Sequence, residues 1–283
     1  MIDLKELQKN NTVKTKELPV FLENSIQGSK IKKLPRVVFK HGANVLVFRY
    51  GTTANDKICA DKKKKIVQTY TFSRSQFDYI LNILKTGGKA NAKDFFSIAD
   101  TNCLDCVFNS YGLCYTHKYT QYSGFISMLK SICKGFDSFE SLPSLNDEIK
   151  KQLFNQAFNT YVRFGTYGEP SAIPIDLVDT ICSISETWTG YTHQWVRRTE
   201  YAPYFMASVH NTHQESMAHK KGFRAYIATE DEIDGFIQCP ASKEAGYKSS
   251  CAACGLCSGA LGAKNIRKLI QRRDNTSVKI FVH

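Results

Sequence analysis

Four cysteines lie close together between residues 239 and 257, and three of them form a C-x2-C-x2-C motif. Closely spaced cysteines of this kind are typical ligands of bacterial [4Fe–4S] clusters. The small residues between them would let the main chain approach an inorganic core closely. The same thiols could instead bind one zinc ion, although zinc sites more often use two separated C-x2-C pairs. The candidate ligands are Cys239, Cys251, Cys254 and Cys257.

A second group of cysteines lies upstream, where Cys103, Cys106 and Cys114 form a C-x2-C-x7-C motif. Three thiolates would leave one iron of a [4Fe–4S] cluster without a protein ligand and open to a small molecule. If His117 joined them, the four side chains would complete a structural zinc site. The motif therefore leaves iron–sulfur and zinc open, and a third alternative is one cluster shared by both groups.

The composition indicates a globular protein with an excess of positive charge. Of its 283 residues, 42% are hydrophobic, and the formal net charge is +12. Nucleic acid is the acidic partner that this charge suggests, although the lysine run at 61–65 is more typical of a solvated surface. No apolar run approaches the roughly 20 residues of a membrane span, and no secretory signal is recognisable. We therefore predict a cytoplasmic protein without a membrane partner, whose clustered cysteines bind metal rather than form disulfides.

From about residue 95 onward, apolar strand-like segments alternate with helical patterns. The predicted strands span 94–100, 161–165, 189–193, 204–210, 223–229, 235–240 and 277–283. This alternation predicts an α/β fold with a parallel sheet, in the form of a partial (β/α) TIM-like barrel. Residues 1–94 have strand-like segments and one amphipathic helix. We interpret them as an N-terminal β-rich cap on a barrel domain of residues 95–283.

In such barrels the functional side chains lie in the loops at the C-terminal ends of the strands. The candidates that follow predicted strands are Cys103 and Cys106, the loop from Gly165 to Glu169, His193, His210 and Cys239. His193 could contact a ligand or be hydrogen-bonded within a packed loop, and both alternatives stay open. The three isolated cysteines are predicted to pack in the core; they are Cys59, Cys133 and Cys182.

The sequence RFGTYGEP at 163–170 carries a resemblance to a known family. A three-cysteine loop after one strand, followed by a Gly-Glu-Pro loop after the next, resembles the radical S-adenosylmethionine (SAM) enzyme superfamily. The usual first motif of that superfamily is C-x3-C-x2-C, whereas this chain has C-x2-C-x7-C. The resemblance implies that the first cysteine group holds a cluster whose open iron binds SAM. It also implies that Gly168, Glu169 and Pro170 hold the methionine amino group.

The second cysteine group resembles the auxiliary [4Fe–4S] sites of many radical SAM enzymes. The segments RFGTYGEP, TGYTHQW and CYT also resemble a group of uncharacterised phage and mobile-element proteins with paired cysteine motifs. That resemblance implies a location in the cytoplasm of a host cell.

Two hypotheses on function follow. The first is a radical-SAM-like iron–sulfur enzyme that acts on nucleic acid or a nucleotide and needs an electron donor. The second is a non-catalytic nucleic-acid-binding protein stabilised by iron–sulfur or zinc, whose affinity would fall steeply with salt. The Gly-Glu-Pro loop separates them, because only the enzyme needs that loop.

Overall fold

The computed structural model describes residues 35–103, 106, 121–229, 232–262 and 277–281. The first of its two sheets contains β1 (Arg36–His41), β2 (Asn44–Gly51), β3 (Ile66–Ser73), β4 (Tyr161–Tyr167) and β5 (Thr187–Thr189). These strands lie in sequence order across the sheet. The pairs β1–β2 and β2–β3 are antiparallel, whereas β3, β4 and β5 run parallel.

The second sheet is parallel at every pairing. It contains β6 (Tyr191–Thr192), β7 (Met206–Val209), β8 (Ala225–Thr229), β9 (Phe236–Gln238) and β10 (Ser277–Phe281). Its spatial order is β6-β7-β8-β10-β9.

A single residue, Gly190, separates β5 of the first sheet from β6 of the second. Its N–H donates to Cys257 O and its carbonyl accepts from Met206 N. A Cβ atom at this position would lie 2.5 Å from Phe205 Cδ1, so the close packing here requires glycine. The chain therefore passes from one sheet to the other beside the second cysteine group.

Helices connect and cover the strands. They are α1 (Arg74–Thr86), α2 (Ala92–Ser97), α3 (Gln121–Cys133), α4 (Asp147–Ala157), α5 (Ile175–Ile184), α6 (Thr212–Lys220) and the short α7 (Cys251–Cys254). Polar side chains cap several of them: Ser73 and Gln76 form a capping box on α1, and Asn146 caps α4. No helix in these described ranges is long and apolar enough to cross a membrane.

The first sheet is covered on both faces, so β3 is buried along its whole length. On one face, Phe164 of β4 and Leu177 of α5 belong to the same apolar cluster. On the other face, Tyr70 of β3 packs with Phe125 of α3, their ring centroids being 6.1 Å apart. The two parallel-rich sheets and their helices confirm the predicted α/β class.

One predicted strand is wrong. Residues 94–100 were expected to form the strand before the first cysteine group, but helix α2 covers most of them. The Asn91 side chain accepts from Asp94 N and starts this helix, and Phe95 and Phe96 are both buried against Tyr167. The strand that precedes the first cysteine group in the first sheet is β3. That sheet thus joins strands from both sides of residue 94, where the domain boundary stays a prediction.

Candidate functional site

The Gly-Glu-Pro loop is hydrogen-bonded to the residue that precedes the first cysteine of the first group. The main-chain N–H of Glu169 donates to Asn102 O at 2.6 Å, and Asn102 Nδ2 donates to Thr71 O at 2.9 Å. Gly168 has φ +75°, and a Cβ there would lie 2.5 Å from Thr71 O. Only glycine allows this approach. Cys103, the next residue after Asn102, is therefore positioned at the ends of β3 and β4.

The Glu169 carboxylate joins the loop after β4 to the end of one further strand, β6. It is 4% exposed; Oε1 accepts from Ser171 N at 3.1 Å, and Oε2 accepts from His193 N at 3.0 Å. Burial raises its pKa, while hydrogen bonds from Thr192, Ser171 and His193 act in the opposite direction. The carboxylate thus fixes the loop after β4 to the residue that follows β6.

Two histidines lie at the C-terminal ends of strands in the second sheet. His193 follows β6 and His210 follows β7, and their rings are nearly parallel with centroids 6.1 Å apart. Partial burial lowers the pKa of His210 and so favours its neutral form. Glu169, His193 and His210 follow β4, β6 and β7. Cys103 was expected directly after a strand at 94–100; it follows α2 instead, and Asn102 beside it is hydrogen-bonded to β3.

The second cysteine group is brought together in one largely buried cluster. Its four thiols share this cluster with Met206, Leu256 and Val278. Burial raises the pKa of Cys251 to about 11; Arg163 and Lys57 oppose the rise, and the thiols of Cys239 and Cys254 add to it. Burial also raises the pKa of Cys257, and the three other thiols raise it further. The four side chains therefore interact with one another electrostatically.

Arg224 holds the loop that carries these cysteines. It is 2% exposed, and its Nη1 donates to Leu256 O at 2.6 Å and to Gly259 O at 3.3 Å. A main-chain hydrogen bond also fixes helix α7, because Cys251 N donates to Lys57 O at 2.8 Å. Sequence reasoning missed Arg224, because no motif spacing connects residue 224 to the cysteines.

We expect Arg224→Met to lower the free energy of unfolding by about 2–4 kcal/mol, because it leaves two buried carbonyl groups without a charged donor. Urea unfolding of protein purified without oxygen measures this loss. Arg197→Met is the matched control, since Arg197 lies exposed on the surface. Equal unfolding midpoints for the two variants would contradict a positioning role for Arg224.

The four thiols of the second group can be compared with the ligands that a zinc ion and a [4Fe–4S] cluster require. Among the described residues, no three His, Cys, Asp or Glu side chains are arranged as ligands of one metal ion. A tetrahedral zinc ion with Zn–S bonds of about 2.3 Å needs sulfurs roughly 4 Å apart. A four-iron cluster is larger and holds its cysteines further apart. The second group therefore supplies four thiols in one cluster, which is the kind of donor set that either zinc or a [4Fe–4S] cluster uses.

The two cysteine groups lie at different ends of the first sheet. Asn102, next to Cys103, is hydrogen-bonded to Thr71 near the end of β3, whereas Cys251 of the second group belongs to the same apolar cluster as Ile66 at its start. Five residues of strand span about 17 Å at about 3.3 Å each. That separation disfavours a single cluster shared by both groups. Cys239 follows β9 as expected, but it belongs to the second group rather than to the edge with Glu169.

The other predicted positions divide into two sets. Cys59, Cys133 and Cys182 are buried, as predicted. Cys114 and His117 lie outside the described residues, so the third ligand of the first group and its possible fourth ligand are still predictions. Comparison of the chain with family models, curated proteins and solved structures finds no match.

Proposed function

We propose that this chain is an iron–sulfur protein of the radical SAM type that acts on a nucleotide or nucleic acid. The observation that carries the proposal is the hydrogen bond from Glu169 N to Asn102 O, which brings the Gly-Glu-Pro loop beside Cys103. The separate buried group of four thiols supports an auxiliary [4Fe–4S] cluster. The sheet order supports a partial barrel, because only Gly190 separates the two parallel sets of strands.

The residues have distinct parts in this proposal. Cys103, Cys106 and Cys114 would hold the first cluster, which when bound supplies an electron to SAM. Both carboxylate oxygens of Glu169 already accept from main-chain N–H groups, so Glu169 positions the loop. The main chain of residues 168–170 would then face the methionine end of SAM. His193 is held at the same place through its own N–H.

Glu169→Gln tests this assignment. A glutamine has one acceptor oxygen, so its amide nitrogen would face the N–H of Ser171 or His193 and displace the loop. We expect at least about tenfold weaker SAM binding in equilibrium dialysis, with the iron content unchanged, since tenfold corresponds to about 1.4 kcal/mol. Glu186→Gln is the control, because Glu186 is a surface residue paired with Lys64. Unchanged SAM affinity, or no 5′-deoxyadenosine after reduction of iron-loaded wild type with SAM, would refute the proposal.

The alternative of a non-catalytic nucleic-acid-binding protein depends on the net charge of +12. The lysine run at 61–65 gives it little support. Lys62 forms an ion pair with Asp56, and Lys64 forms one with Glu186 at 2.7 Å. Part of that positive charge is therefore already neutralised within the protein.

A further inference from the structure

Arginines form a row across the first sheet. Arg36 of β1 is paired directly with Arg49 of β2, and Arg49 is paired with Gln68 of β3. Gln68 is in turn paired with Arg163 of β4. Directly paired residues of neighbouring strands project to the same face of a sheet. Arg36, Arg49, Gln68 and Arg163 therefore lie side by side on one face, and we call them the arginine row.

The positive charges of the row converge on one buried phenol. Tyr70 is 6% exposed, and Arg49 lies close enough to its hydroxyl to act on its pKa. Burial raises the pKa of Tyr70, while Arg49, Arg163 and Arg36 all act to lower it. The three guanidinium groups thus act on the same small region. All three arginines are only partly buried, so each keeps some contact with solvent.

This arrangement is unfavourable for the protein alone. Like charges directly opposite each other destabilise a pair of strands, as Arg36 and Arg49 do here. Within the described part of the chain, no carboxylate forms an ion pair with Arg36 or Arg49. A half-buried concentration of positive charge is what a site for an anion requires.

The row also lies between the two cysteine groups. Tyr70 packs in the cluster under α1 and α3, on the side of β3 that leads to Cys103. Arg163 acts on Cys251, on Tyr161 at the start of β4 and on Tyr226 of the second sheet. A molecule held by the row would therefore lie between the two proposed clusters.

We propose that Arg49 and Arg163, with Arg36 at the outer end of the row, bind a phosphate monoester of the substrate. The planar fork of arginine matches the oxygens of phosphate, and several guanidinium groups suit its charge of about −1.5 to −2 better than the single charge of a carboxylate. This inference deepens the proposed function by naming a nucleotide with a terminal phosphate as the substrate class. Phosphate binding itself needs neither SAM nor a reduced cluster.

Titration calorimetry at constant ionic strength tests the site with three probes: inorganic phosphate, a nucleoside 5′-monophosphate and a short single-stranded oligonucleotide without terminal phosphate. We expect the first two to bind, and Arg49→Gln and Arg163→Gln each to weaken them at least about tenfold. Arg74→Gln is the matched control. It removes the same charge from the same part of the chain, but Arg74 is already paired with Asp78 and Glu140.

Thermal unfolding separates ligand binding from a structural role. Arg36→Gln should unfold at the same or a higher temperature than wild type in chloride, and should lose much of the stabilisation that phosphate gives. A lower unfolding temperature in chloride would make the row structural and overturn the inference.

Two results of the calorimetry would overturn it as well. They are binding of the oligonucleotide alone, and phosphate binding that survives both Arg49→Gln and Arg163→Gln. If protein purified without oxygen contains iron but does not bind phosphate, only this inference is refuted. If it contains no iron but binds phosphate, only the proposed function is refuted.

Discussion

Protein purified without oxygen is expected to contain about eight iron atoms and as much acid-labile sulfide per chain, and Cys254→Ala should reduce both to about four. Cys254 belongs to the buried group of four thiols, so its removal leaves that cluster with three ligands. Cys103→Ala should remove the other four irons, because Cys103 lies at the opposite end of β3. Metal and sulfide analysis of the three proteins measures the result.

Cys182→Ala is the control for both cysteine variants. Cys182 is buried in the core between α4, α5 and the first sheet, away from the two cysteine groups, and its loss should leave the iron content unchanged. If Cys254→Ala and Cys103→Ala each removed all the iron, the two groups would be one site. Zinc without sulfide in the wild type would exclude the iron–sulfur proposal altogether.

Gly168→Ala is expected to have the largest effect of any conservative change in the loop. Its φ of +75° would strain a residue with a side chain, and its Cβ would lie 2.5 Å from Thr71 O and 2.8 Å from Thr71 Cβ. Thr71 belongs to β3, which is buried along its length and cannot move away cheaply. Backbone strain and overpacking together should cost about 3–6 kcal/mol of unfolding free energy.

Gly42→Ala separates those two contributions. Gly42 has a similar φ of +56° in the turn between β1 and β2, and a Cβ there would have no neighbour within 4 Å. Its substitution should therefore cost only the backbone strain, about 1–2 kcal/mol. Urea unfolding of both variants provides the comparison. Equal losses would show that the contact between Gly168 and β3 does not determine the position of the loop.

Local sequence signals predicted much of the fold. The helical periodicity of α1, α4 and α5 and the polar caps of α1 and α4 depend on residues within a few positions of one another, and these helices fall within the predicted helical patterns. The short strands β4, β7 and β8 were also predicted from apolar runs. The error at 94–100 arose because a short apolar run fits a strand or a buried helix equally well. Its two adjacent phenylalanines are both buried only because α2 packs beside Tyr167.

The sequence by itself predicted which residues would bind a metal, because cysteine spacing is local and thiol chemistry does not depend on the fold. Only the tertiary structure decided what those residues lie against. Glu169 contacts Asn102 and His193 through hydrogen bonds between separate strand ends, and Arg224 reaches the cysteine loop from the second sheet. The arginine row exists only through strand register, because a shift of one residue in any pairing would turn an arginine to the opposite face.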